Sequence, residues 1–253
     1  MKTVVSQPLS TEKPAITAHR GGSLLAPENT LAAFKNALKL GVDRIELDVQ
    51  FSSDHEVVVI HDEKLNRTTN GKGNIIKFTR QQLSALDAGI KFSEKFAGEK
   101  IPTLDEVLDL VDGACVLLIE IKSDKNSFPE LENEVVNLLH KHNALSWCVV
   151  QSFNYESVLK VHTIDPEIKT GILFVKPPLD KIEKGQLDVS FISEINIYQR
   201  FAGKKTVARI HQMNKKTFVW TANKPERMQQ LIKNGADGIM TDDPATLKNL
   251  LHK

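Results

Sequence analysis

The chain has 253 residues, 41% of them hydrophobic and 26% charged, with a formal net charge of +1. That length suits one large domain or two small ones, and near-neutrality supplies no field for nucleic acid or an anionic membrane, so any phosphate recognition has to be local. The two cysteines, Cys115 and Cys148, lie in apolar runs, which excludes a disulfide framework or zinc-finger site and predicts reduced core residues.

Residues 1–14 are mostly polar and contain no apolar run of signal-peptide length. Nothing approaches the ~20 apolar residues of a membrane span. The expectation is a cytoplasmic protein without stable membrane insertion. The first predicted strand, 15–18, runs into His19-Arg20-Gly21-Gly22. Pro27-Glu28-Asn29-Thr30 then opens a helix with Asn29 or Thr30 as N-cap, Leu31, Phe34, Ala37 and Leu38 on one apolar face, and Gly41 at its end. A second strand covers 44–50. Residues 52–56 read as a turn into the β-branched run 57–60, which stops at His61-Asp62. Residues 63–100, rich in Asn, Gly, Lys and Thr, read as an excursion with a few helical turns near 80–86.

Regular alternation then returns. Thr103 and Glu106 fit a capping box for a helix over 104–111. Strands are predicted at 115–122, 148–153, 170–175, 190–195, 217–221 and 238–241. Between them lie a helix presenting Leu131, Val135, Leu138 and Leu139, then helices near 155–162, 179–185, 206–213 and 225–235. A closing helix spans 244–251. Eight strands separated by helices imply parallel pairing, and that number in about 250 residues matches a closed (β/α)₈ TIM barrel. The expected organisation is a single domain, 1–253, with the small insertion at about 63–100. An open doubly wound sheet is the rival, although no Gly-x-Gly-x-x-Gly follows the first strand.

The second strand carries an anomaly. Side chains alternate along a strand, so Glu46 and Asp48 share one face while Ile45, Leu47 and Val49 share the other. Carboxylates about 4 Å apart repel by roughly 4 kcal/mol at an effective dielectric near 20. A shared proton, a cationic side chain or a metal ion would offset that repulsion, unless the acids simply face water at a strand end. The strand at 115–122 repeats the pattern with Glu120 and Lys122. If both strands belong to one sheet, three carboxylates converge.

A barrel gathers its functional groups at the carboxyl ends of its strands. His19, Arg20, Glu46, Asp48, His61, Glu120, Lys122, Gln151, Trp220 and Asn223 fall there in order. Singly, each has a plain alternative: a structural His, a Lys122–Glu120 pair, a core Trp. Together they compose a rim. Three carboxylates without thiolates favour one hard divalent cation, Mg²⁺ or Ca²⁺. Arg and Lys suit a phosphate, and two imidazoles supply acid and base near neutral pH. Phosphodiester cleavage uses all of these parts.

The same residues carry a resemblance. His19-Arg20-Gly21, Pro27-Glu28-Asn29-Thr30, Glu46-x-Asp48, His61-Asp62 and Arg67-Thr68-Thr69-x-Gly71 resemble motifs of the glycerophosphodiester phosphodiesterase family. So do Ile101-Pro102-Thr103-Leu104, Glu120-x-Lys122, Gln151-Ser152-Phe153, Trp220-Thr221-x-Asn223 and Gly235-x-Asp237-Gly238, from about residue 15 to residue 245. The resemblance implies a TIM barrel that hydrolyses a small-molecule glycerophosphodiester to sn-glycerol 3-phosphate and an alcohol. It implies His19 and His61 as the acid/base pair, and Glu46, Asp48 and Glu120 as ligands of the cation. Arg20 and Lys122 would hold the phosphate, with Gln151 and Trp220 also on the substrate. In the mechanism usually drawn for the family, the glycerol C2 hydroxyl attacks phosphorus and water later opens a cyclic phosphate. Lysophospholipase D activity and a non-catalytic phosphodiester-binding barrel are the alternatives. Glu194, at the end of the sixth predicted strand, matches no family motif and is expected to face water, with contact to the glycerol or a cationic alcohol head as the alternative.

Overall fold

The computed structural model of the chain describes residues 13–122 and 130–252, so the polar terminal stretch lies outside it up to residue 12. β1 (Ala15–Ala18) leads through a short 3₁₀ turn to α1 (Leu31–Leu40), followed by β2 (Arg44–Phe51), β3 (Val57–Val59) and α2 (Arg80–Ser84). The order continues α3 (Leu104–Val111), β4 (Val116–Ile121), α4 (Leu131–Lys141), β5 (Cys148–Ser152), α5 (Tyr155–Ile164), β6 (Lys169–Phe174) and α6 (Leu179–Glu183). β7 (Glu194–Tyr198), α7 (Lys204–Gln212), β8 (Phe218–Trp220), α8 (Pro225–Asn234), β9 (Gly238–Thr241) and α9 (Pro244–Leu251) complete it.

β1 pairs in parallel with both β2 and β9, which closes the sheet and removes the open-sheet alternative. Eight parallel strands form the ring, and β3 runs antiparallel outside it as a hairpin on β2. The local signals are those of the sequence. Thr30 caps α1 by accepting the Ala33 amide, and Gly41 ends it in the left-handed region at φ 67°. Thr103 and Glu106 form the reciprocal capping box of α3.

Period-two alternation sorts the strand residues. Ile45, Leu47, Val49, Leu117, Ile119 and Ile121 pack into the core between strands and helices. Arg44, Glu46, Asp48 and Glu120 take the opposite face, towards the lumen. Leu118, Val149 and Met240 fill part of that lumen, with Trp220 packed on them. Each fully buried aliphatic side chain contributes about 1.5–3 kcal/mol from apolar surface removed from water. Cys148 is buried in the main core, Cys115 packs half-buried against it, and both are free.

Two predicted features shift. The seventh strand begins at Glu194, not four residues earlier. Ile192, inside the predicted strand, and Val189 just before it pack instead from the approach loop into the outer core. Glu194 therefore stands at the opposite end of the barrel from the mouth at the strands' carboxyl ends, and it does not face water. It is buried and its Oε2 accepts from Arg44 Nη2 at 3.0 Å, while Arg44 stacks 3.7 Å above the Phe218 ring. Asn196 Nδ2 reaches Glu194 Oε2 at 3.3 Å and Gln151 Oε1 at 3.0 Å. A buried acid and amide look like loop residues in a sequence, yet inside a barrel they satisfy one another.

The insertion also has its own support. Leu65, Ile75, Leu83 and Ile101 bury against Val58 and Ile60 as a small separate core. A second capping box, Thr79 with Gln82, starts α2. This cluster fixes the insertion beside the carboxyl ends of β1 and β2, where the polar residues gather.

Candidate active site

β2 and β4 are neighbours in register, with Asp48 opposite Glu120, and this brings together the acids that the sequence placed 72 residues apart. Glu46, Asp48 and Glu120 are all buried, and each offers a carboxylate oxygen within 4.8 Å of the others. Burial, then the charges of Asp48 and Glu120, push the Glu46 carboxyl well above its ordinary range. Burial and Asp48 push Glu120 up to about 7, against the opposing pull of Lys122. Burial also works against ionising Asp48, but Lys122 and Arg20 overcome it and hold that carboxyl low. Three hard oxygen donors crowded in a water-poor site, two of them forced towards the neutral form, are the donor set of a hard divalent cation. The residues fit such an ion.

Around the acids stand the cations. Gly21 and Gly22 take φ of 82° and 93°, and Arg20 itself is left-handed at φ 52°. A Cβ on Gly21 would lie 2.7 Å from the Ala33 side chain, so the turn after β1 requires glycine there. That turn aims the Arg20 amide at Glu46 Oε2 (3.0 Å) and the Arg20 side chain at Asp48 and Glu28. Lys122 Nζ sits 2.8 Å from Asp48 Oδ1 and also hydrogen-bonds Glu120. Asn29, read from sequence as a possible N-cap, instead donates from Nδ2 to Asp48 Oδ2 at 2.8 Å.

Each imidazole is backed by a carboxylate on its Nδ1. His19 Nδ1 lies 2.5 Å from Asp242 Oδ1, and His19 Nε2 is 4.0 Å from Glu46 Oε2. His61 Nδ1 lies 2.8 Å from Asp62 Oδ1. An ionised partner accepts the Nδ1 proton and leaves Nε2 to exchange protons elsewhere. Burial depresses the His61 pKa below its ordinary value against the pull of Asp48, and so favours the neutral ring. Gln50 Nε2 donates to the carbonyls of Ile60 and His61 at 3.0 and 2.9 Å and so fixes the start of the His61 loop.

Asp242 was not singled out from the sequence. It also accepts from Ser23 Oγ (2.7 Å) and Asn223 Nδ2 (2.6 Å), so Asn223 serves that carboxylate. Its only sequence signal is position: an acid just past the last strand, which a closed barrel sets beside the first. Of the other predicted contacts, Trp220 packs edge-on to Phe153 and tilted against Tyr198, both at 5.3 Å, with a buried Nε1 that has no partner among the described residues. Gln151 is fully buried below the mouth, bonded to Asn196 through Oε1. A cavity of about 510 Å³ opens beside His61, lined also by Gln50, Glu120, Lys122 and Phe153.

Comparison with known proteins agrees with this geometry. The model of the glycerophosphoryl diester phosphodiesterase family matches residues 19–246. The chain belongs to that family. A glycerophosphodiester phosphodiesterase of Caldanaerobacter subterraneus subsp. tengcongensis is 42% identical over 248 residues, covering 95% of this chain and 99% of its own. The solved structure of an Oleispira antarctica phosphodiesterase in complex with the product sn-glycerol-3-phosphate superposes with a TM-score of 0.88 at 30% identity, covering 95% of this chain and 98% of that one. A human lysophospholipase D is more distant, at 27% identity over 93% of this chain and 85% of its own. This member of the family is therefore a phosphoric diester hydrolase, a glycerophosphodiesterase built as a TIM barrel. Among its described residues no helix is long and apolar enough to cross a membrane.

Proposed function

We propose that the chain, acting as a single domain, hydrolyses glycerophosphodiesters to sn-glycerol 3-phosphate and an alcohol, with His19 and His61 as its acid and base. The observation that carries this reading is the pair of imidazoles, each with a carboxylate on Nδ1, set around three buried acids and two cationic side chains. Glu46, Asp48 and Glu120 would hold one divalent cation, Mg²⁺ or Ca²⁺. When bound, that ion supplies positive charge beside the phosphate oxygens. Arg20 and Lys122 orient the phosphate and offset its remaining charge. Trp220 forms part of the wall around the substrate, and Gln151 supports the floor beneath it.

One imidazole accepts the proton of the glycerol C2 hydroxyl as its oxygen bonds to phosphorus. The other gives a proton to the alcohol oxygen as that P–O bond breaks. Holding the hydroxyl next to phosphorus removes much of the entropic barrier, which makes the cyclic phosphate the economical intermediate. Water then opens the ring with the two imidazoles in exchanged roles.

The test is release of sn-glycerol 3-phosphate from glycerophosphocholine. Chelation should abolish it, and His19→Ala or His61→Ala should each lower kcat by roughly 10²–10⁴-fold, the range of general acid–base catalysis. Full activity in either variant would remove that residue from the mechanism. Glycerophosphocholine should turn over faster than lysophosphatidylcholine; the reverse would make the chain a lysophospholipase D.

A further inference from the structure

The Arg67-Thr68-Thr69-x-Gly71 stretch lies in the insertion, and Arg67 is not part of the rim that holds the cation or the phosphate. Its guanidinium is nevertheless engaged by two carboxylates at once. Arg67 Nε and Nη2 donate to Asp62 Oδ2 and Oδ1 at 2.8 and 3.0 Å. Nη1 and Nη2 donate to Glu28 Oε2 and Oε1 at 2.6 and 2.8 Å. Behind Asp62 stands the His61 ring, and Glu28 Oε1 accepts from Arg20 Nη1 at 2.9 Å.

We infer that Arg67 is a positioning residue, contributed by the insertion, that fixes both the His61 imidazole and the Arg20 guanidinium through one doubly bidentate clamp. The planar fork matches two carboxylates in fixed orientation, which a lysine ammonium cannot do. Asp62 can rotate about its own side chain. With Arg67 on both of its oxygens it has one orientation, and the His61 ring bonded to Oδ1 is aimed accordingly. Glu28 is held in the same way and turns Arg20 towards Asp48, 3.3 Å from Arg20 Nε. Half of the Arg67 side chain is exposed, at 47%, so it contributes little to the core, and the bonds it makes all lead inward to the site. The insertion's own small core supplies the rigid base from which the clamp acts.

This inference rests on His61 being one of the two acid/base groups, and a double-mutant cycle separates the two claims. Arg67→Met should lower kcat for glycerophosphocholine on the order of 10- to 100-fold, as loss of an orienting partner does at comparable sites. Arg67→Lys should recover only a small part of that. In a His61→Ala background, adding Arg67→Met should lower kcat several-fold less than it does in the parent, because the ring it orients is gone and only its hold on Arg20 through Glu28 remains. A residue that merely braced the insertion would cost the same in both backgrounds, and that result, or an unchanged kcat in Arg67→Met, overturns the inference. Should Arg67→Met fail to fold, the same cycle run with Arg67→Lys decides in the same way. If His61→Ala alone is fully active, it is the acid/base reading that falls.

Discussion

Glu120 shows how strongly its surroundings reshape a single carboxyl. Its carboxyl is pushed up to about 7 by burial and by Asp48, whereas an unfolded glutamate titrates near ~4.3. The folded state without cation therefore binds more protons over that interval, and it loses stability as pH rises from about 4 to about 7. A divalent cation needs the ionised form, so its binding should release protons near neutral pH and weaken as pH falls below about 7. Calorimetry in two buffers of different ionisation heat checks this, with a buffer-independent heat as the contrary result. Asp242 has the opposite sign. Although burial opposes its ionisation, the His19, Ser23 and Asn223 hydrogen bonds bring it down to about 2, below the ordinary value of ~3.9. It stabilises the fold above about pH 4, and that contribution is lost as pH falls to about 2. Asp242→Asn should flatten acid unfolding in that window. It should also lower kcat more than it raises KM, because a neutral amide, which can donate as well as accept, no longer holds His19 in one tautomer.

At the scale of elements, the site depends on short turns between well-capped pieces. α3 begins with the Thr103–Glu106 box, and Val59 N donates to the Pro102 carbonyl, tying the α3 approach to β3. Thr103→Ala should cost about 1 kcal/mol in denaturant unfolding with little change in activity, since no rim residue leaves its place. The helix boundaries were largely legible because caps and terminal glycines are local signals. β7 was read four residues too early, because buried Ile192 in its approach loop has the apolar character of a strand residue. β3 was read as a β-branched run, but its antiparallel partner could not be chosen from sequence.

At the scale of the whole molecule, the barrel carries charge at both ends of its lumen. The mouth holds the three acids with Arg20 and Lys122, while the far end holds the buried Arg44–Glu194 pair between β2 and β7. Breaking one partner leaves the other charged, buried and unpaired. Arg44→Met should therefore destabilise the fold by about 3–5 kcal/mol, and Arg44→Met combined with Glu194→Gln should recover much of that loss. A single variant as stable as the parent by denaturant titration would show that solvent reaches the pair.

The sequence by itself determined the strand–helix alternation, the preference for a closed barrel over an open sheet and the polar residues expected at its rim. Each follows from side-chain period, from caps and from acids placed where apolar residues belong. The tertiary structure decided what those residues touch. It set Asp242 behind His19 because the last strand closes on the first. It turned Asn29 from a helix cap into a partner of Asp48, moved Glu194 to the far end, and made Arg67 a bridge between two carboxylates. Those contacts join residues distant along the chain, and spacing along a chain carries no information about which distant groups the closed ring will bring face to face.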